Sequence, residues 1–185
     1  MSEFRAAEFP LTRRPALPFA PVKTAAVNLE AVSSGSILQI LGKPFETRAD
    51  EICAHGAFGP DADLRFMSPG QWLLVTDEAL SAQYIAALER RLAGLAYIVD
   101  QTHGRSRIRL SGPAARSVLA RGTAVDVHPD HFAVGSATGT AFGHMAVNLA
   151  RTGDDTFELL VLRGFAESLW EEVAEIVMRV GVEPG

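Results

Sequence analysis

Two stretches of this chain are patterned as one-sided helices, and a one-sided helix needs an apolar surface to lie on. Over residues 79–92 (ALSAQYIAALERRL), Leu80, Tyr84, Leu88 and Leu92 recur every four residues, and Ile85 widens the stripe. Over 164–180, Phe165, Leu169, Val173, Ile176 and Val180 share one face. Short β-prone runs surround both helices. Strands are predicted near 24–31 and 36–41, then a hairpin in "DLRFMSPGQWLLVT" with Pro69 and Gly70 at the centre of a type II turn. A strand follows at 95–102, so the first half reads β-β-α-β, with a short helix around 48–54 in a segment broken by Gly, Pro and Asp. The second half offers a strand at 105–111, a helix at 113–121, strands near 137–142, 144–151 and 156–162, and the final helix. Helices interleaved with hairpins, without strict βαβ alternation, predict an α+β fold of mostly antiparallel sheets with packed helices.

The chain of 185 residues suits one α+β domain over 23–185, with halves at about 23–102 and 103–185. Residues 1–22 carry Pro10, Pro15, Pro18 and Pro21, which exclude regular helix or a central strand and predict an extended arm. Its apolar residues, Phe4, Phe9, Leu11, Leu17 and Phe19, need either this domain or a partner to lie on.

A net charge of −5 gives no general attraction to nucleic acid or to anionic membranes. No apolar run approaches the roughly 20 residues needed to span a bilayer. The single cysteine, Cys53, cannot form an internal disulfide and fits a reducing cytoplasm. Arginine supplies fifteen of the 17 basic residues. Arginine makes bidentate contacts that lysine cannot, although codon bias would produce the same counts.

The densest polar chemistry lies in "DQTHGRSRIRLSGPAARSVLARG", residues 100–122. Asp100, His103 and Ser106 suggest a nucleophilic triad. On one extended strand, however, Asp100 and Ser106 would stand about 20 Å apart with His103 facing the other way, and a triad needs contact between successive members. Arg105, Arg107 and Arg109 share one strand face, opposite Ser106, Ile108 and Leu110. That face is either a solvated outer surface or a set of guanidiniums for acidic groups of a ligand or another subunit, so these three are the candidate interface residues. Gly112, Pro113 and Gly122 read as N-cap, first helical position and C-terminal stop of the next helix. A phosphate site there would lack the N–H that Pro113 removes, and no glycine-rich nucleotide motif lies nearby.

The sequence "HPDH" (His128 to His131), with Asp126 before it, reads as a surface turn, because no cysteine or HExxH helix joins it. His55 and His144 read as structural residues, and Cys53 as a small buried hydrophobe. Trp72 and Trp170 read as core residues whose N–H finds a partner. No catalytic, cofactor-binding or metal-binding residue is therefore assigned.

The order "DQTHGRSRIRLSGPAARSVLARG", "DVHPDHFAVG" and "FGHMAVNLARTGDDTFELLVLRGFAESLWEE" resembles the gamma subunit family of heterotetrameric sarcosine oxidase. "MSPGQWLLV" resembles that family's Gly-Pro-x-Glu-Trp-Leu segment, with Ser68-Pro69-Gly70-Gln71 departing from it. The resemblance runs over roughly 36–175. It implies a fold like the folate-binding domain of glycine-cleavage T-protein and related aminomethyltransferases. It also implies a small structural subunit of a bacterial, cytoplasmic enzyme that demethylates sarcosine to glycine, forming hydrogen peroxide and 5,10-methylenetetrahydrofolate. FAD, FMN, NAD and tetrahydrofolate are then expected in the partner alpha, beta and delta subunits and none on this chain. Two alternatives stand beside it: a free-standing folate-binding, aminomethyltransferase-like protein, and a gamma-like subunit of another N-methyl amino acid dehydrogenase such as N-methylglutamate dehydrogenase.

Overall fold

The computed structural model describes residues 15–56, 58, 59 and 61–181. The element order is β1 (Val22–Lys23), β2 (Asn28–Val32), β3 (Ser36–Gly42), α1 (Ala49–Gly56), β4 (Asp63–Ser68), β5 (Gln71–Thr76), α2 (Ala82–Arg91), β6 (Ala96–Asp100), β7 (Arg105–Ser111), α3 (Ala115–Leu119), β8 (Ala137–Phe142), β9 (Met145–Gly153), β10 (Thr156–Leu162) and α4 (Ala166–Val180). One sheet has strand order β1-β2-β7-β10-β9-β8 and the other β4-β5-β3-β6. Each adjacent pair runs antiparallel. The α+β architecture expected from the pattern is therefore present.

The period-2 alternation of each strand sorts its side chains into layers. On the larger sheet, Leu29, Ile108, Leu110, Val147, Leu149, Phe157, Leu159 and Val161 join Val118 and Leu119 of α3 and Leu169, Trp170, Val173 and Val177 of α4 in one core. On the smaller sheet, Leu38, Ile40, Trp72 and Leu74 pack with Ile52 of α1 and Leu88 of α2. The opposite faces of the two sheets meet in a thin apolar cluster of Ile37, Leu73, Val75 and Leu160. The result is a four-layer stack, helix–sheet–sheet–helix. The sheets come closest where β8 meets β4: a Cβ on Gly139 would stand 2.6 Å from the Met67 carbonyl oxygen, so no side chain fits there. At the other end the sheets part, leaving Tyr97 (81 %) and Val99 (40 %) of edge strand β6 exposed.

The hairpin β4–β5 turns at Pro69-Gly70, and Gly70 has φ +75°, as the second central position of a type II turn requires. Several boundaries differ from expectation for local reasons. The strand expected at 24–31 begins only at Asn28, as β2, because the Thr24 hydroxyl accepts the Ala26 and Val27 N–H groups and holds residues 24–27 in a turn. Helix α2 begins after Ser81, whose Oγ accepts the Tyr84 N–H. In α4 the buried stripe is Ala166, Leu169, Trp170, Val173, Val177 and Val180; Phe165 ends a preceding 3-10 turn and stays exposed.

The corner before α3 was expected to cap the helix with Gly112. Instead Gly112 takes φ +116°, where a Cβ would meet the Ala26 carbonyl oxygen at 2.5 Å, and the N-cap falls on Ala114. The Ala114 and Ala115 N–H groups donate to Ala26 and Gly112 carbonyls, so they are not offered to an anion. Cys53 is exposed rather than buried, because α1 turns Ile52 and Gly56 inward and leaves the position between them outside.

Of the proline-rich arm, Phe4, Phe9 and Leu11 lie outside the described residues. Leu17 is buried in the helix-side core of the larger sheet, and Phe19 stacks on Trp170 with ring centroids 5.7 Å apart. Both tryptophans are core residues, but the Trp72 indole N–H has no hydrogen-bond partner.

Candidate functional site

Strand β7 lies between β2 and β10, so its arginine face cannot be an outer surface once the second sheet packs over it. Arg107 is 4 % exposed, which corrects the expectation of a solvated face. Its counterpart is Glu158 of β10, fully buried and in cross-strand register with Arg109. Glu30 of β2 stands opposite Arg109 on the other side. A row of alternating charge, Glu30–Arg109–Glu158, therefore crosses three strands, and opposite charges at paired positions support the sheet.

The Glu158 carboxylate accepts from three guanidiniums. Arg65 of β4 reaches it from the other sheet, Nη2 to Oε2 at 2.8 Å. Arg107 donates through Nε at 3.2 Å to Oε2 and through Nη2 at 2.9 Å to Oε1. Arg109 donates through Nε and Nη2 to Oε1 at 3.0 and 2.8 Å. The outer donors are also engaged: Arg65 Nε with Asp63 at 2.7 Å, Arg107 Nη2 with Asp77 at 2.6 Å, and Arg107 Nη1 with the Thr76 carbonyl at 3.1 Å. Three guanidiniums thus face four carboxylates, Glu158, Asp63, Asp77 and Glu30. Asn148 of β9 adds a second tie between the sheets, donating to the Phe66 carbonyl at 2.8 Å. Arg65 Nη1 and Asn148 Oδ1 stay buried without a hydrogen-bond partner among the described residues.

Burial pushes the Glu158 carboxyl up, but the charges of Arg65 and Arg107 and the hydrogen bonds they donate outweigh it and hold it at about 2. Burial likewise pulls the Arg109 guanidinium down, yet the Glu158, Asp77 and Glu30 carboxylates leave it above its ordinary value. A carboxylate this tightly held neither takes up nor releases protons near neutrality, so the cluster is suited to fastening rather than to acid–base chemistry.

The turn after β6 revises the geometry of Asp100, His103 and Ser106. The Gly104 and Arg105 N–H groups both donate to the Gln101 carbonyl, and the chain passes from one sheet to the other. The three residues therefore line one cavity of about 950 Å³ rather than a single extended strand. They do not form a relay: Asp100 accepts the Thr102 N–H, and Ser106 Oγ is buried with no hydrogen-bond partner. A triad requires that hydroxyl to be bonded to its base. Arg105 lines the same cavity and, among the described residues, makes no side-chain hydrogen bond or ion pair. The sequence placed Arg105, Arg107 and Arg109 on one face. It carried no sign that Glu158 would claim two of them, because that partner lies 49 and 51 residues away.

His131 pairs with Asp126 across an exposed turn, with His128 beside it. Among the described residues no three His, Cys, Asp or Glu side chains are grouped to hold a metal ion. Among the same residues no helix is long and apolar enough to cross a membrane.

The model of the family described as "Sarcosine oxidase, gamma subunit family" matches residues 34–177. The sarcosine oxidase subunit gamma of Corynebacterium sp. (strain P-1) is 30 % identical over 121 residues, covering 64 % of this chain. That match spans only 58 % of the relative's own length. Among solved structures, the heterotetrameric sarcosine oxidase of Corynebacterium sp. U-96 in complex with pyrrole 2-carboxylate contains a chain of the same fold. It aligns with a TM-score of 0.76 at 23 % identity, covering 89 % of this chain and 90 % of that one. The glycine cleavage system aminomethyltransferase T of Bartonella henselae shares the fold at a TM-score of 0.57 and 17 % identity, over 81 % of this chain and 46 % of that one.

Proposed function

Because the chain belongs to the sarcosine oxidase gamma subunit family, we propose that it is the small, non-catalytic structural subunit of a heterotetrameric sarcosine oxidase. The observation that carries this reading is the family match over residues 34–177. In the assembled enzyme, sarcosine and dioxygen would yield glycine and hydrogen peroxide while the methyl carbon passes to tetrahydrofolate as 5,10-methylenetetrahydrofolate. FAD, FMN, NAD and tetrahydrofolate are assigned to alpha, beta and delta partners in the cytoplasm, and no residue of this chain is assigned to them.

The inward use of the arginine face supports a fastening role. Arg107 and Arg109 are held by Glu158 inside the chain, so of the three candidate interface arginines the contact with a partner is assigned to Arg105. Co-expression with the large partner chains tests the reading. One co-eluting complex with sarcosine-dependent peroxide formation is expected, and a chain that never associates would overturn it. Assaying the complex on N-methylglutamate as well as sarcosine identifies the substrate. The fold shared with aminomethyltransferase T favours one other reading, a free-standing folate-binding protein. Calorimetric heat with tetrahydrofolate on the isolated chain would select it.

A further inference from the structure

Arg105 sits in an unusual position for an arginine. It is only partly exposed, its Nε is shut off from solvent, and that donor has no acceptor. Burial without a counter-charge pulls its guanidinium below the ordinary value. A desolvated donor without an acceptor costs free energy, and a charged one costs more. One residue on, Ser106 Oγ is also sealed and unbonded. Successive strand residues point to opposite faces, so a cavity lined by Arg105, Ser106 and Arg107 wraps around the start of β7. At about 950 Å³ it has the size of an ordinary ligand site.

From this geometry we infer that the cavity at the start of β7 binds a carboxylate, received by the Arg105 guanidinium. The planar fork of arginine matches a carboxylate or a phosphate. The rest of the lining chooses between them. Asp77, Glu78 and Asp100 border the same cavity together with Arg107 and Arg163. Arg107 is already held by Asp77 and Glu158, so Arg105 offers one uncompensated positive charge, which a single negative charge balances and a dianion exceeds. Asp77 is already taken by Arg107 at 2.6 Å, and Asp100 by the Thr102 N–H at 2.8 Å. None of the described carboxylates, Glu78 included, is paired with Arg105, and we assign the missing one to a free small molecule or to a side chain of a partner subunit.

The test has two arms, each using the full chain in wild-type, Arg105→Gln and Arg105→Lys forms. In the first, sodium butyrate is titrated against sodium chloride of equal ionic strength, following the arginine Nε–H signals by NMR and the thermal midpoint. A saturable shift of the Arg105 signal at about 1 mM or below, absent in both variants and not reproduced by inorganic phosphate, establishes a free carboxylate ligand. The second arm measures association with the co-expressed partner chains. A silent first arm with association at least about tenfold weaker in Arg105→Gln establishes a partner's carboxylate as the source. Two results overturn the inference: no effect in either arm, or phosphate binding as well as butyrate. The first arm does not depend on the assembly proposed above, so failure of the complex to form and failure of the cavity to bind are separate observations.

Discussion

Arg65 and Glu158 are 93 residues apart in the chain and 2.8 Å apart in the fold, one on each sheet. Both are almost wholly buried. They are where the two sheets are joined by charge rather than by apolar contact. Removing one partner of such a pair leaves the other buried and uncompensated, the costliest kind of substitution.

Glu158→Gln is accordingly expected to lower the unfolding free energy by about 3–5 kcal/mol, read from urea denaturation. Three guanidiniums would then lose their common acceptor. A double-mutant cycle with Arg65→Met should give a coupling of about 0.5–3 kcal/mol, and simple additivity would show that the two sheets are not joined through this pair.

The same carboxylate sets an acid limit. Its folded value of about 2 lies below the ordinary 4.5, so the folded state binds this proton less readily than the unfolded one. The resulting stabilisation, of the order of 3 kcal/mol, is complete above the unfolded value and is lost as pH falls from about 4.5 through 2. Thermal midpoints measured across that window should fall steeply in the wild type. The slope should be shallower in Glu158→Gln, and equal slopes would assign the acid sensitivity to other carboxylates.

Arg105 and Arg109 share a strand face but should respond differently to mutation. Arg109→Glu places a carboxylate against Glu158 and Glu30 and should destabilise the isolated chain by about 2 kcal/mol or more, measured by urea denaturation. Arg105→Gln removes a guanidinium that has no partner here, and the unfolding free energy should stay within about 0.5 kcal/mol of the wild type. Equal losses would place Arg105 in the fastening cluster instead.

Phe19 reports on how residues 15–22 attach to the domain. Phe19→Ala removes the ring stacked on Trp170, at a cost of about 1 kcal/mol. In a Trp72→Phe background Trp170 is the sole tryptophan. Its emission should then shift to the red, and an unchanged spectrum would show that the stack does not form in solution.

The helices and hairpins were legible in the sequence because their signals are local. The spacing of Leu80, Tyr84, Leu88 and Leu92 and the Pro69-Gly70 turn each need only a short window. The arginine alternation on β7 was equally legible, but its environment was not. Whether an alternating polar face meets water or a second sheet depends on what packs over it, and Glu158 and Arg65 come from distant strands. The path from Asp100 to Ser106 was not legible for a related reason: the chain bends at Gln101 to Gly104 and changes sheets, instead of continuing as one extended strand.

The placement of Glu158 on β10 also bears on how the chain avoids misassembly. Its neighbours Phe157 and Leu159 point into the core against the helices. A slip of one residue against β7 would exchange the two faces. A lone carboxylate would enter the densest apolar layer, and leucine would face three guanidiniums. An all-hydrocarbon strand would tolerate that slip at little cost, trading one oily contact for another. Here the slipped pairing carries a buried, uncompensated charge on each face, so the ion cluster acts as an error check on strand alignment.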